Sequence, residues 1–487
     1  MSVRTRIAPS PTGYMHIGTL HTALFNYFFA KKHGGEFIIR IEDTDQKRLV
    51  DGAVENLLQT MKILGLTHDE GPVLLADGTL DEKGAFGPYV QSQRLELYKR
   101  HAEQLLAEGH AYRCFCTSAR LEEMRAVQTA AKQTPRYDRT CLKMSPAEVQ
   151  AKISAGETFV LRMQVPEGST TFNDLVRGNV TISHNEIDDQ VIMKTDGFPT
   201  YHLAVVVDDH LMDITHVLRG EEWLPSTPKQ TILYAMFGWK APEFGHVPLL
   251  LNADKSKLSK RQGDVAVEDY LKKGYLPQTL INFVGTLGFN PKSDQELYTL
   301  SELTELFDIS RVNKGGAVLN HEKLDWMNHH YVNALGNDAL LATLAAFAPE
   351  LDLADETAKR AVIVEKSRVN TLVELVAAAH NKLALPEYNA TILVWKKADA
   401  ADAKLQLSGV KEFLSASDEQ VFADILVLEK SVKEYISNKG LSAGNVLWPL
   451  RVSLSGAEKS ASPFELLWAL GKNESIKRMT LAIERLD

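Results

Sequence analysis

Cysteine is scarce in this chain, with only three in 487 residues, and that scarcity excludes a small scaffold held together by disulfides. No stretch approaches the roughly 20 consecutive apolar residues that a membrane-spanning helix requires. The first residues turn to proline without the long apolar segment of a secretory signal. We therefore expect a cytoplasmic chain with no membrane partner.

The chain also has no long segment in which acidic or basic residues are concentrated. The formal net charge is −9, but acidic and basic residues are interspersed without long runs. An acidic balance argues mildly against a nucleic-acid binder, although a basic stripe can lie on an acidic body. Global charge therefore decides little about function, and local motifs must carry the argument.

The chain is too long for one hydrophobic core, since domains typically hold about 100–200 residues. Its start predicts a strand at 3–8, a helix at 18–33 and a strand at 36–41, which is the βαβ unit of a parallel sheet. A helix is expected at 94–109, and apolar strands at 201–207 and 213–218. Helical spacing dominates after about residue 265, as at 372–379 and 422–436, and favours a helical bundle.

The first chemical motif, at residues 9–19, lies between the first strand and the first helix. Doubly wound sheets bind nucleotides at this place, where a helix N-terminus presents free N–H groups to phosphate. His16 could hydrogen-bond phosphate oxygens, and Gly18 allows a close approach because it has no Cβ. Taken alone, the motif is more often an ordinary turn with an incidental histidine.

The second motif is Lys257-Leu258-Ser259-Lys260-Arg261, with three cations in five residues. A cationic loop can neutralise the charge that develops on departing pyrophosphate. By itself it is more often a solvated basic loop. The two motifs together are improbable by chance, and their pairing favours a site that binds a nucleoside triphosphate.

Both motifs resemble the signatures of class I aminoacyl-tRNA synthetases. Longer segments resemble the glutamyl branch of that family: 6–13, 40–45, 89–94, 207–210, 218–223, 323–328 and 449–452. Thr19 stands where many class I enzymes have a second histidine, and Arg261 where many have serine, but both variants are familiar in this branch. The resemblance covers nearly the whole chain.

The resemblance implies an α/β fold, a Rossmann-like catalytic domain with an inserted acceptor-binding module, followed by an all-α anticodon-binding domain. We expect the catalytic domain at 1–113 and 193–256 and the insertion at 114–192. A stem-contact region at 257–322 and the helical domain at 323–487 follow. The implied activity is ATP-dependent activation of glutamate, with Mg²⁺, and its transfer to tRNA(Glu) by a monomer.

Site residues follow from the same resemblance. The catalytic residues would be His16, Gly18, Lys257 and Lys260. The ATP-binding residues would be Pro9, Ser10, Thr12, Gly13, His16, Gly18, Thr19, Glu222, Ser259 and Lys260. The glutamate-binding residues would be Arg6, Ala8, Ser10, Glu42, Tyr201, Val205 and Arg219. Arg368 lies where the family places an arginine that reads the anticodon.

The chemistry of glutamate agrees with the glutamate-binding residues that the resemblance implies. The amino acid carries two carboxylates and one ammonium, and the planar fork of arginine can bind a carboxylate through two hydrogen bonds. Arg6 and Arg219 lie at the ends of candidate strands, and Glu42 could pair with the ammonium. The alternative is that these residues form ordinary surface ion pairs.

Three thiols fall in the expected insertion, at Cys114, Cys116 and Cys141. They suggest a zinc site, with Tyr137 as the candidate fourth ligand because no histidine follows Cys141 closely. The alternative is three reduced cysteines without a metal, and the sequence leaves both open.

Other functions stay open at this point. A glutaminyl-tRNA synthetase, or the shortened relative that glutamylates a tRNA base, is the nearest rival. A nucleotidyltransferase without an RNA substrate and an inactive RNA-binding paralogue are the others. The long helical C-terminal part argues against the shortened relative and, with the insertion, against the nucleotidyltransferase. The intact His16, Gly18, Lys257 and Lys260 argue against the inactive paralogue.

Overall fold

The computed structural model describes residues 2–258, 265–292 and 294–486. They divide into two compact units, Met1–Tyr270 with Leu280–Asn320, and Leu271–Thr279 with His321–Asp487. Among the described residues, no helix combines the length and the apolar character needed to span a membrane.

The first unit is mixed α/β. Its strands are β1 Arg4–Ile7, β2 Glu36–Ile39, β3 Gly71–Leu74, β4 Leu80–Lys83, β5 Ala111–Cys114, β6 Val160–Met163, β7 Ser169–Asp174, β8 Gly178–Ser183, β9 Val191–Met193, β10 His216–Gly220, β11 Glu243–Val247, β12 Leu250–Leu251 and β13 Ala317–Val318. The helices that begin in the first unit or at its boundary are α1 Ile17–Lys32, α2 Ala53–Ile63, α3 Leu95–Ala107, α4 Ser118–Ala130, α5 Pro146–Ser154, α6 Tyr201–Leu211, α7 Thr227–Met236, α8 Val267–Lys272, α9 Pro277–Thr286 and α10 Leu300–Leu306.

The centre of this unit is a set of parallel strands. β1 pairs with β2, and β10 pairs with β11. β1 also lies beside β10, where the Thr215 amide donates to the Arg4 carbonyl over 3.0 Å. The chain thus leaves β1 toward β2 on one side and returns at β10 on the other. Ligands bind at such switch points in open α/β sheets, beyond the carboxyl ends of the strands.

The predicted opening βαβ unit is confirmed, with β1, α1 and β2 close to their expected bounds. Helix α1 buries Leu20, Leu24 and Phe28 completely. The predicted helix at 94–109 is α3, and the strand expected at 213–218 is present as β10.

The strand predicted at 201–207 is wrong, because this segment is the first part of helix α6. Every residue from Leu203 to Asp209 is buried, so apolar side chains are needed all round the helix. A fully buried helix and a buried strand both appear as an apolar run, and periodicity does not separate them.

The span expected as an insertion contributes to two sheets. β5, β6 and β9 form a three-stranded antiparallel sheet. The β7–β8 hairpin instead extends the central parallel strands, since Asp174 of β7 is the partner of Phe244 in β11.

The second unit is all helical, as predicted. Its further helices are α11 His321–Ala334, α12 Asn337–Phe347, α13 Glu356–Glu365, α14 Leu372–Leu383, α15 Ala400–Ala416, α16 Ile425–Asn438, α17 Ala443–Ser455 and α18 Pro463–Glu484. α14 contains the helix expected at 372–379, and α16 that expected at 422–436, although it begins later, at Ile425. Gly471, with a φ of 70°, kinks α18.

Candidate active site

A cavity of about 460 Å³ opens beyond the carboxyl ends of β1 and β10. Twelve of the residues predicted for catalysis or for ATP and glutamate binding line it: Arg6, Ala8, Pro9, Ser10, His16, Gly18, Thr19, Glu42, Tyr201, Arg219, Glu222 and Lys257. They come from separate stretches of the chain, at 6–10, 16–19, 42, 201, 219–222 and 257. The parallel-sheet topology brings these stretches together at the switch point.

Three predicted residues lie elsewhere. Thr12 and Gly13 belong to the loop before α1 but are not among the cavity residues. Val205 is 1% exposed and packs in the hydrophobic core that surrounds α6. Ser259 and Lys260 lie outside the described residues.

His16 is the N-cap of α1. Its Nδ1 accepts a hydrogen bond from the Gly18 amide over 2.9 Å, which satisfies one of the unpaired donors of the first helical turn. In the neutral imidazole the proton is then on Nε2. A Cβ at Gly18 would lie 3.1 Å from His16 Nδ1, so glycine keeps the imidazole in its capping position.

Arg219 is 5% exposed and is held by three neutral groups. Its Nε donates to His246 Nε2 over 3.2 Å, its Nη1 to the Tyr201 hydroxyl over 3.1 Å, and its Nη2 to Thr227 Oγ1 over 2.9 Å. Within the described ranges, no carboxylate forms an ion pair with it. Burial accordingly lowers the pKa of Arg219 and raises that of Tyr201. A buried cation without a paired anion favours an incoming carboxylate.

Arg6 has a different environment. Its Nε and Nη2 donate to the two oxygens of Asp209 over 3.1 and 3.3 Å. Arg40 donates to the same Asp209 over 2.7 Å and to Glu42 over 3.1 Å. Although burial raises the pKa of Asp209, the two arginines outweigh it and lower that pKa overall.

Asp208 continues this buried network away from the cavity. Arg94 donates to it over 2.7 Å, and the Tyr98 hydroxyl over 2.7 Å. Arg6, Arg40 and Arg94 therefore face Glu42, Asp208 and Asp209, so three cations balance three carboxylates. Glu42 is the member of this group that carries a carboxylate to the cavity wall, and burial raises its pKa.

The first two residues of the second motif lie at the site. Lys257 pairs with Leu251 in an antiparallel bridge after a turn in which Asn252 bonds Ser256, and Lys257 and Leu258 line the cavity. Beyond the undescribed residues 259–264, Val265 accepts a hydrogen bond from the Ile17 amide over 2.8 Å. The described chain therefore resumes beside the first turn of α1.

The three thiols converge away from this cavity. The Sγ atoms of Cys114, Cys116 and Cys141 lie within 4.8 Å of one another, and those of Cys116 and Cys141 are 3.5 Å apart. The Tyr137 hydroxyl lies 3.4 Å from Cys114 Sγ and 3.3 Å from Cys116 Sγ. A tetrahedral zinc with Zn–S bonds of about 2.3 Å holds its sulfurs roughly 3.8 Å apart, so three sulfurs and one oxygen fit this ion.

The pKa values of two of the thiols shift in opposite directions. Burial raises the pKa of Cys114, but the hydrogen bonds that it forms with Tyr137 and Arg162 outweigh burial and lower the pKa overall. Burial raises the pKa of Cys116 to about 11. Arg120 Nη1 lies 3.3 Å from Cys116 Sγ and supplies positive charge beside it. The same atoms equally form a closed set of thiol and phenol hydrogen bonds, so the geometry permits the metal without requiring it.

In the second unit, Arg368 donates to both oxygens of Glu465 over 3.0 and 2.9 Å. Its side chain is 34% exposed. The candidate anticodon-reading arginine is therefore paired with a carboxylate in this structure.

Several residues important to the cavity were missed from the sequence: Arg40, Asp174, Asp209, Thr227 and His246. Asp209 carried a usable signal, since a charged residue at the end of an apolar run is buried only with a partner. His246 and Asp174 carried none, because each is an isolated polar residue in a short strand.

Comparison with known proteins agrees with the fold and the cavity. Residues 2–326 match the model of the class I tRNA synthetases (E and Q), catalytic domain, and residues 339–483 match an anticodon binding domain. The chain therefore belongs to the class I aminoacyl-tRNA synthetases and is an enzyme, a ligase that forms aminoacyl-tRNA.

Similar proteins identify the branch of the family to which the chain belongs. A glutamate–tRNA ligase of Clostridioides difficile is 57% identical over 346 residues, covering 71% of this chain and 70% of the relative. One from Alkaliphilus metalliredigens is 44% identical, covering 100% and 99% of the two chains. A crystal structure of a glutamate tRNA ligase from Elizabethkingia meningosepticum, in complex with its amino acid, superposes with a TM-score of 0.90 at 34% identity over 100% of both chains. Within its class, the chain belongs to the glutamate–tRNA ligases.

Proposed function

We propose that this chain activates glutamate with ATP, accompanied by Mg²⁺, and transfers it to the 3′-terminal adenosine of tRNA(Glu). The observation that carries the amino-acid specificity is Arg219, a buried cation at the cavity wall without an ion-pair partner among the residues described. A substrate carboxylate would form the ion pair with Arg219. Glu42 in the same cavity would receive the ammonium group.

The triphosphate would lie at the first turn of α1. The partial positive charge of a helix N-terminus favours phosphate there. The imidazole of His16, with its proton on Nε2, would donate to a phosphate oxygen. Lys257, and Lys260 beyond the described part of the loop, would stabilise the negative charge on pyrophosphate as it leaves.

Two transfers follow from this arrangement. In the first, an oxygen of the glutamate α-carboxylate attacks the α-phosphorus, the bond from that phosphorus to the bridging oxygen breaks, and pyrophosphate leaves. In the second, a terminal ribose hydroxyl of tRNA, the 2′-hydroxyl by analogy with class I enzymes, attacks the glutamyl carbonyl and AMP leaves. No protein nucleophile is required, so catalysis depends on positioning and on charge stabilisation.

A zinc ion would be held by Cys114, Cys116, Cys141 and Tyr137. It would be structural, because four protein ligands close the tetrahedral shell and leave no position for a substrate. The ion would connect β5 to the loop that carries Tyr137 and Cys141.

The helical unit would bind the anticodon, and the enzyme would act as a cytoplasmic monomer. For Arg368 to read a base, its ion pair with Glu465 would have to open when tRNA binds. That exchange is feasible because the pair is partly exposed, and such pairs typically contribute less than about 1 kcal/mol.

The test is aminoacylation of purified tRNA(Glu) and tRNA(Gln) with glutamate and with glutamine. Glutamate charging of tRNA(Glu), without glutamine charging of either tRNA, is the expected result. Glutamine charging would assign the enzyme to the rival branch. Pyrophosphate exchange without any charging would favour a nucleotidyltransferase, and no exchange at all would favour an inactive paralogue.

A further inference from the structure

A line of polar groups extends from Arg219 into the interior, away from the cavity. Arg219 in β10 and His246 in β11 are paired in the parallel register. Arg219 Nε donates to His246 Nε2 over 3.2 Å, and His246 Nδ1 lies 2.5 Å from Asp174 Oδ2. Arg219, His246 and Asp174 are 5%, 0% and 1% exposed, so the line is shielded from water.

The hydrogen bonds determine where the proton on His246 resides. The Nε of arginine always carries a hydrogen, so His246 Nε2 must present its lone pair to Arg219. The ring proton is therefore on Nδ1 and is donated to Asp174. Burial lowers the pKa of His246, which keeps the ring neutral, and the bond from His246 lowers the pKa of Asp174 despite its burial.

Asp174 is itself held by the backbone. Its Oδ1 accepts from the amides of Val176 and Arg177 over 3.0 and 2.8 Å. The carboxylate therefore has a fixed orientation before it meets the imidazole. Because all three groups are buried and hydrogen-bonded in series, Asp174 restrains His246, and His246 restrains Arg219 Nε. His246 Nε2 also lies 3.1 Å from Thr227 Oγ1.

The guanidinium has five N–H groups, and three of them are used by His246, Tyr201 and Thr227. Among the residues described, two of its N–H groups have no partner, which is the number that a bidentate carboxylate accepts. The hydrogen bond from Arg219 Nε to His246, on the side away from the cavity, therefore fixes the plane of the guanidinium, and a substrate carboxylate must lie in that plane. Asp174 places a carboxylate at the far end of this line, where it does not occupy the carboxylate-binding edge of Arg219.

We propose that Asp174 and His246 are positioning residues that orient Arg219 as the carboxylate receptor through a fixed imidazole tautomer. This inference rests on the proposed binding of glutamate by Arg219. It extends that proposal by assigning a role to two residues outside the cavity.

Asp174→Asn tests the tautomer directly. The amide oxygen of asparagine can still accept from Val176 and Arg177, so the turn is preserved. Its NH₂ group would then face His246 Nδ1 and donate to it. The ring proton would move to Nε2, where an N–H would oppose the N–H of Arg219 Nε.

The experiment measures glutamate KM, ATP KM and kcat by pyrophosphate exchange in the presence of tRNA, together with the melting temperature. We expect Asp174→Asn to raise glutamate KM roughly 10- to 100-fold, the usual effect of losing a hydrogen bond to a charged group. ATP KM and kcat should change by no more than about twofold, because the lost interaction with glutamate is made equally in the ground state and in the transition state. Nitrogen-15 spectra of labelled histidine should show the His246 tautomer change from Nδ1–H to Nε2–H.

Two further variants separate positioning from structure. Asp189→Asn is the matched control, since Asp189 is also 1% exposed and accepts from Tyr112, Arg139 and Val165, but it is not in contact with Arg219. His246→Gln places an amide oxygen near the position of Nε2 and should retain more glutamate affinity than His246→Leu.

The outcomes distinguish the two proposals. If Asp174→Asn leaves glutamate KM unchanged while Arg219→Leu raises it, the positioning role is wrong and the proposed function stands. If neither variant changes glutamate KM, Arg219 is not the carboxylate receptor. Equal effects of Asp174→Asn and Asp189→Asn, with matching losses of melting temperature, would also overturn the positioning role.

Discussion

Nη1 of Arg219 lies 3.1 Å from the hydroxyl oxygen of Tyr201, although one residue is in strand β10 and the other begins helix α6. The phenol is a neutral partner, so it orients the guanidinium without cancelling its charge. Arg6, in the same cavity, is instead paired with Asp209. Two arginines that appear equivalent in the sequence therefore differ in what they can offer a ligand.

The first prediction concerns this difference. Arg219→Leu should raise glutamate KM about 100-fold, because a bound carboxylate loses its charge-assisted partner. ATP KM should be almost unchanged. Arg219→Lys should recover only part of the loss, since an ammonium cannot form the same planar fork. An equal rise in ATP KM would place Arg219 in the nucleotide site or in the folding core.

The second prediction separates the two roles of His16. His16→Asn should keep the melting temperature near that of the parent, since asparagine is among the best N-caps. It should nevertheless lower kcat, because the second ring nitrogen is lost. His16→Ala should lose both the helix cap and the catalytic contribution, with a stability cost of about 1 kcal/mol. A fully active His16→Asn variant would remove His16 from catalysis and leave it as a cap.

The third prediction concerns the cationic motif. Lys260→Ala should lower kcat roughly 10²- to 10³-fold with a smaller effect on ATP KM, as expected when a group stabilises charge that grows in the transition state. The matched control is Lys255→Asn, because Lys255 is exposed on the adjoining turn and its φ of 65° suits asparagine. Near-normal pyrophosphate exchange by Lys260→Ala would refute the assignment.

The fourth prediction concerns the metal. Protein purified without chelator should contain about one zinc per chain, the stoichiometry of a single closed site. Tyr137→Phe should weaken zinc retention, whereas Tyr112→Phe should not, because the Tyr112 hydroxyl donates to Asp189 rather than meeting the thiols. Metal-free protein with full activity and unchanged melting temperature would exclude the site.

The fifth prediction is that glutamate activation requires tRNA, as the family resemblance implies. Small misplacements of the carboxylate and the α-phosphorus are costly, and a ligand that binds the productive state preferentially will populate it. Glutamate and ATP alone should give little pyrophosphate exchange, and tRNA should raise it by orders of magnitude. A tRNA with an oxidised terminal ribose should still activate exchange. Strong exchange without tRNA would contradict this coupling.

The sequence alone was sufficient for the features that depend on local pattern. The loop from Pro9 to Gly18 between a strand and a helix predicted a site at the N-terminus of α1, because such loops and helix starts follow from short-range signals. The all-helical character of the second unit, and its helices at 372–379 and 422–436, followed from apolar spacing. The long family segments predicted the activity and most of the cavity residues.

The tertiary structure was needed wherever an outcome depends on distant residues. Segment 201–207 is a helix because it is buried on every side, and Val205 accordingly belongs to the core. Arg6 meets its carboxylate 203 positions away in the chain, and Arg219 meets His246 across a strand pair. Such pairings between distant residues cannot be predicted from the local sequence. Only the folded chain decides which buried arginine is already paired with a carboxylate and which can receive a substrate carboxylate.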